Sequence, residues 1–540
     1  MPEADRQLKP ANENPWYVLM TLFGVPIFPP NEDQKLENTV VWNAWACQNM
    51  SVAQRKKLAN NLKLEPELIG DWEEIKEGVQ LKFAQEWASR NARGLKRPPL
   101  PSPDQNILLN DTDFGGGLYA QNAIFPSEVS FSHSRINHIC TFTGAIFLKE
   151  ALFTRTLFRG ASSFSGTRFQ GETTFVGSNF AQGAAFNGAK FLDRANFRNA
   201  RFEKQAFFSE STIGGSADFR EVSFQDLTKF NSIIFNSSAN FRCAKFSSEA
   251  HFGQTTFVKG VIFDDAEFCD RTLFTQIKSS AGFELRNGAV KRDFIFDGSQ
   301  VSGLSDFSSS SFSGFTSFAE CQFEQKNMEE KCGWVLFNEC QFEKPTSFRE
   351  VKFTGCFPEF GGAVLHPKTT FSAERRLWPT HMGQIASEAR ESFATIRHAV
   401  AQQGLPEDEH FFFRKEMHFA GQIGSFWQRL PYRTFGLFSD YGYSIAKPAN
   451  ALIALWSIGF AALWGYFLSV GYDGPAAGTA MALSLHNIIP IFGFGGQYFD
   501  KDFMEALPAS LKFLSGVSRI FGFVFLFFLG LGLRTRFRLR

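Results

Sequence analysis

The sequence predicts a mainly β, repeat-built solenoid with helical ends and an apolar hairpin near its C-terminus. Three observations predict it. Aromatic residues recur at alternating steps of five and six, a small residue stands two positions before each of them, and two long apolar stretches lie within the last hundred residues. Composition points the same way: 67 Phe stand beside only 8 Tyr in 540 residues, as expected when one structural slot is refilled many times by the same side chain. The balance of 55 Lys+Arg against 54 Asp+Glu suggests neither a strongly polyanionic nor a strongly polycationic partner.

Residues 1–100 read as a helical region. Ser51 with Gln54 three positions later forms a capping box, Pro66 marks a helix start, and an amphipathic run extends from Leu68 to Trp87. The first twenty residues carry acids and prolines where a secretory signal needs a basic start and an unbroken apolar core. The bulk of the chain is therefore expected in the cytoplasm. Residues 101–113, entered through RPPLPSP, read as a proline-rich linker.

Residues 114–371 read as the solenoid. From Phe125, Phe131 and Ile136 the slots continue through Phe142, Phe147, Phe153, Phe158, Phe164, Phe169, Phe175, Phe180, Phe186, Phe191, Phe197, Phe202, Phe208, Ile213, Phe219, Phe224, Phe230, Phe235, Phe241, Phe246, Phe252, Phe257, Phe263, Phe268 and Phe274. Neither a helix nor an ordinary strand has such a period. Two residues before each slot sits Ala, Ser, Thr, Cys or Val, with Ile233 the one departure, which implies a second and smaller inward position. Gly144, Gly166, Gly177 and Gly188 precede that small residue, where a turning chain benefits from relaxed φ/ψ restrictions. The unit is one short flat face and one corner. The register weakens through Ser279, Leu285 and Val290, recovers at Phe296, and is broken once by EQKNMEEKCGWVL, read as a looped-out insertion before Phe337. About ten coils at about 4.8 Å each give a rod on the order of 50 Å.

This pattern resembles the pentapeptide-repeat family, whose motif sets a small residue, a polar residue, a central Leu or Phe and two variable residues on each face of a four-sided coil. The resemblance implies a right-handed quadrilateral β-solenoid, to which the flanking residues add an expected N-terminal helical cap, a C-terminal helix pair and two transmembrane helices. Here alternate faces carry a sixth residue, so a coil needs about 22 residues where the family's plain form needs about 20. Asn14-Pro15-Trp16-Tyr17-Val18-Leu19, Trp42-Asn43-Ala44-Trp45 and the closing Leu531-Gly532-Leu533-Arg534-Thr535-Arg536-Phe537-Arg538 are similar to segments of bacterial membrane-linked members.

Residues 372–447 read as a helical linker. Ile385, Ala389, Phe393, Ile396 and Val400 make one stripe, Gly404 and Pro406 break it, and Phe412, Phe419, Ile423 and Trp427 begin another. Residues 448–540 read as a membrane hairpin with spans at about 449–470 and 513–533, the first free of charge. Arg429, Arg433 and Lys447 precede the first span, and Arg534, Arg536, Arg538 and Arg540 end the second. By the positive-inside rule both termini and the rod are expected in the cytoplasm, and the resemblance to bacterial members implies a multi-pass protein of a bacterial inner membrane.

Between the spans, Gly493-Phe494-Gly495 resembles the glycine-aromatic-glycine filter of potassium channels in a span, pore loop, span arrangement. It lacks the preceding Thr and the following Asp, and Pro490 stands where a pore helix should end; tight turns in a re-entrant or periplasmic loop account for the glycines equally simply. Arg519, about two turns inside the second span, is expected to snorkel to head groups. His133, His138 and His251 show no ligand spacing, Asp264-Asp265 and Glu388 with Glu391 accompany no nucleophile, and no cofactor or metal is expected. Cys140, Cys321 and Cys340 fall at small-residue positions and read as buried thiols rather than disulfides.

The expected role is a non-enzymatic membrane-tethered scaffold, its partners the lipid bilayer and another protein, with a homo-oligomer compatible. The alternative is a channel-like protein with the rod as its cytoplasmic regulatory domain. Some pentapeptide-repeat proteins imitate DNA and inhibit topoisomerases through an acidic rod, but Arg194, Arg198 and Arg201 interrupt any phosphate-like stripe here, and no nucleic acid is expected.

Overall fold

The computed structural model describes residues 8–25, 31–62, 65–91, 94–324, 335–355, 357–379, 386–489, 499 and 501–537. The chain divides into two compact units, Met1–Gly383 and Gln384–Arg540.

In the first unit, four parallel sheets form the faces of a solenoid, three with 12 rungs and one with 11. The rungs are short: Ala151–Leu152 pairs with Thr173–Thr174, and Leu157–Phe158 with Asn179–Phe180. Strands of two residues are not stable alone, but each is hydrogen-bonded in register to the coils before and after it. Phe153 N–H, for example, donates to Thr174 C=O at 2.8 Å and Phe175 N–H to Asn196 C=O at 2.7 Å. The spacing counted about ten coils. The additional rungs come from Ile107, Leu109, Phe114 and Leu118 before the regular run and Phe357, Phe360 and Phe371 after it, all buried on the same axis.

The axis is filled. Each phenylalanine from Phe142 to Phe274 in the ladder is at most 1% exposed. Within a ladder the rings lie parallel: Phe153, Phe175, Phe197 and Phe219 are separated by 4.7, 4.8 and 4.9 Å. Between facing ladders they meet edge to face, as Phe186 and Phe197 do at 5.4 Å and 90°. Both arrangements satisfy the ring quadrupole, and each contributes about 0.5–1.5 kcal/mol beyond area burial.

The alternation of five and six reflects two kinds of corner. At five-residue steps the second residue after phenylalanine is left-handed: His133, Gly144, Arg155 and Gly166 have φ of 59°, 68°, 53° and 66°. Such a residue costs roughly 1–2 kcal/mol when it is not glycine. The next residue offsets this where it carries a donor, because it bonds to the preceding coil. Thr156 Oγ1 donates to Phe131 C=O at 2.8 Å, Thr167 Oγ1 to Phe142 C=O at 2.7 Å, and Cys321 Sγ to Phe296 C=O at 3.1 Å. Burial pushes the Cys140 and Cys321 thiols up and that of Cys340 up to about 12, so they remain protonated. At six-residue corners successive coils approach closely: a Cβ on Gly160 would lie 2.2 Å from the His138 carbonyl. Of the insertion read at 324–336, residues 325–334 lie outside the described residues, but its ends do not loop out: Glu324 closes the strand Gln322–Glu324, Val335–Leu336 pairs with Ser305–Asp306, and Phe337 then stacks on Phe307 at 5.0 Å.

Helices α1 (Pro15–Met20), α2 (Glu32–Ala46), α3 (Val52–Leu62) and α4 (Trp72–Arg90) precede the rod. The capping box is present at α3, where Ser51 N–H donates to Gln54 Oε1 and Gln54 N–H to Ser51 Oγ. Pro66 begins a 3-10 turn, and α4 starts later, capped by Asp71. The first edge is closed in two ways. Lys9–Pro10 adds a parallel strand to one face. On another, the Asn43 side chain acts as a strand: Oδ1 accepts from Ile124 N–H at 2.8 Å and Nδ2 donates to Asn122 C=O at 3.0 Å, while Trp42 Nε1 bonds to Ile124 C=O at 2.9 Å. At the far end Trp378 covers Phe353 at 5.2 Å between ring centroids.

The second unit contains α5 (Ala386–Ala401), α6 (Pro406–Ala420), α7 (Phe426–Ser439), α8 (Ala446–Val470), α9 (Ala476–Ile488), α10 (Lys501–Ala506) and α11 (Ala509–Phe537). Helices α5 and α6 form the expected pair, with Phe393 stacked on Phe419 at 5.7 Å. Trp427 does not continue α6, as its spacing suggested. Gly421 and Gly424, the latter at φ +88°, end that helix, and Trp427 lies exposed on α7.

Candidate functional site

Helices α8 and α11 are long and apolar enough to cross a membrane, at 25 and 29 residues. At 1.5 Å per residue, α8 reaches about 37 Å, against a hydrocarbon core of about 30 Å. Around both, large apolar side chains such as Ile453, Ile458, Phe523 and Phe527 are exposed. In water this would be costly; in lipid it is the stable arrangement.

Between them in sequence lies α9, whose 13 residues reach about 20 Å, too short to span. It is nevertheless well covered: Ala480, Leu483, Ser484, Asn487 and Ile488 are buried. Small residues on both long helices admit it. A Cβ on Gly459 of α8 would meet Ser484 at an ordinary contact distance of 3.5 Å, whereas one on Gly522 of α11 would fall 2.7 Å from Ile488 C=O, so Gly522 is the position that needs glycine. Leu463, Phe467, Ala480, Leu483, Leu507 and Leu511 complete an apolar cluster.

A polar line runs along this contact. Asn487 Nδ2 donates to Ser515 Oγ at 3.0 Å, and Arg519 Nε donates to Asn487 Oδ1 at 3.3 Å. Arg519 thus keeps an exposed head group while one nitrogen turns toward α9. Asn487 and Ser515 escaped the sequence reading, although serines at 515 and 518 followed by Gly522 form a small-residue stripe that could have shown the packing face. Gly493, Phe494 and Gly495 lie outside the described residues.

On the rod, the ladder phenylalanines and the small residues two positions before them form the core, and the outward residues between them form the surface. That surface is laced with ion pairs: Arg220–Asp218 at 2.7 Å, Arg242–Asp265 at 3.1 Å and Arg286–Asp264 at 2.6 Å. Glu267 sits between Lys245, at 2.8 Å, and Lys291. Hydrogen bonds from these two ammonium groups lower its carboxyl to about 2. Among the described residues no cluster of His, Cys, Asp and Glu side chains could hold a metal ion.

Fold and surface together define a β-solenoid with a filled axis and variable outer faces. Residues 142–189 and 186–232 match the family model described as Pentapeptide repeats (9 copies), and the rod is a pentapeptide-repeat solenoid. Neither the curated proteins nor the solved structures contain a significant match to the chain.

Proposed function

We propose that the chain is a non-enzymatic scaffold, anchored in a membrane by α8 and α11, whose rod offers its faces to another protein. One observation carries this reading. The aromatic axis of the rod is filled from end to end, leaving the outward residues as the only variable chemistry, while α8 and α11 leave large apolar side chains uncovered. Basic residues before α8 and at the end of α11 favour, by the positive-inside rule, an orientation with both termini and the rod on the cytoplasmic side. Acidic side chains on the rod are extensively ion-paired, which favours a protein partner over imitation of a nucleic acid. Crosslinking in intact membranes with the rod as bait tests the scaffold role: a specific, saturable protein partner is expected, and a rod that captures none defeats it.

A second reading rests on α9. A short buried helix held between two long apolar ones resembles the half-helix of span, pore loop, span modules, and its C-terminal end leads into Gly493-Phe494-Gly495. Such a pore requires several copies. Cation flux into liposomes that is lost when Gly493 and Gly495 are replaced by Ala supports a channel; absence of flux leaves the scaffold.

A further inference from the structure

Helix α7 carries an apolar stripe that nothing among the described residues of its own unit covers. Phe426, Leu430, Arg433 and Leu437 follow the spacing i, i+4, i+7, i+11 and so share one face, with Trp427 beside it. Phe426, Trp427 and Leu437 are 64%, 76% and 67% exposed. The helix is not detached. Its other side packs on α11, with Phe435 at 5.7 Å from Phe528 and Phe438 at 5.0 Å from Phe525. A short link then joins α7 to α8.

The charges on α7 differ from those of its neighbours. Arg414 and Lys447 pair with Asp440, at 2.9 and 3.6 Å. Arg429 and Arg433 have no ion-pair partner among the described residues, and the Arg429 Nε is buried without a hydrogen-bond acceptor. An exposed stripe containing Trp, Phe and Leu, flanked by two unpaired guanidiniums and joined to a membrane span, has the chemistry of a helix at a headgroup boundary. Its aromatic and aliphatic side chains would enter the upper acyl region while the arginines meet lipid phosphates.

We propose that α7 is an interfacial helix that binds the anionic phospholipid surface of the leaflet from which α8 enters. This rests on the membrane reading of α8 and α11, and it assigns the exposed face of α7 to lipid rather than to a partner protein. Arginine supplies bidentate phosphate contacts, and each basic residue near an anionic surface multiplies binding roughly fivefold.

The test uses the full chain in lipid nanodiscs of two compositions, phosphatidylcholine alone or with phosphatidylglycerol. Cys243, Cys269, Cys332 and Cys356 are first replaced by Ser, and a spin label is then placed at Trp427→Cys or, as a reference, at Ile458→Cys on α8. Collision with dissolved oxygen is compared with collision with a water-soluble nickel chelate. Both labels should favour oxygen in the discs containing phosphatidylglycerol. At 427 this preference should fall several-fold in phosphatidylcholine alone, and Arg429→Gln with Arg433→Gln should erase the difference. A 427 label that remains aqueous, one buried equally in both compositions, or one broadened by a second label because another copy covers the face, each overturns the proposal. If the label at 458 is aqueous as well, the membrane reading itself has failed; if only 427 is aqueous, the anchor stands and the interfacial role falls.

Discussion

Replacing Phe197 by Ala tests the central packing claim most directly. The ring is fully buried and lies parallel to Phe175 and Phe219 at 4.8 and 4.9 Å, with Phe186 and Phe208 edge-on at 5.4 and 5.5 Å. Truncating a buried Phe costs about 3–5 kcal/mol in transfer and cavity terms. The solenoid can collapse little around the gap, because the backbone on every side is fixed by inter-coil hydrogen bonds, so the upper half of that range is expected. Lys190 lies on the rung one corner earlier but faces outward, and Lys190→Ala should change stability by no more than about 0.5 kcal/mol. Urea titration of the full chain in mild detergent, followed by the strand signal in circular dichroism, gives both values. Equal shifts for the two variants would refute the assignment of inward and outward positions.

Three further outcomes are expected. Gly160→Ala forces a Cβ against the His138 backbone and should cost about 1–3 kcal/mol or more, whereas Gly188→Ala meets open space and should cost only the left-handed backbone term of roughly 1–2 kcal/mol; thermal melts rank them. Asn43→Ala leaves the Ile124 N–H and Asn122 C=O unpaired, which should destabilise the cap by roughly 1–3 kcal/mol for each lost bond and expose a sheet edge, seen as concentration-dependent association in light scattering. For Glu267 the folded pKa of about 2 lies below the ordinary carboxyl value of 4.5, so its contribution is complete above about pH 4.5 and is lost as pH falls toward 2. Glu267→Gln should therefore be slightly less stable than wild type at neutral pH, with the gap closing on acidification; a gap that widens in acid contradicts the ion triad.

The rod was legible because one slot repeats: the ladder from Phe142 to Phe274 could be followed at constant phase, and period alone separates it from helix and ordinary strand. The ends were less legible. Ile107 and Leu109 are core residues that read as linker, because Pro and polar residues around them hide the spacing. That two corner types underlie the steps of five and six could not be read, since Asn199, Glu210 and Glu221 all take the left-handed conformation without being glycine. Asn43 bonding like a strand left no trace in the pattern, because its partners at 122 and 124 depend on how α2 docks. In the second unit the two long apolar helices were evident, whereas the close packing of α9 depends on Gly522, whose meaning appears only once the helices are side by side.

The orientation of the inter-coil hydrogen bonds has a mechanical consequence. They run along the rod axis, so a pull on its two ends opens them one layer after another rather than shearing many at once. Each layer released frees 22 residues, about 75 Å of extended chain, in place of a rise of about 4.8 Å. A solenoid loaded this way lengthens in even steps and can rewind on the layer that remains.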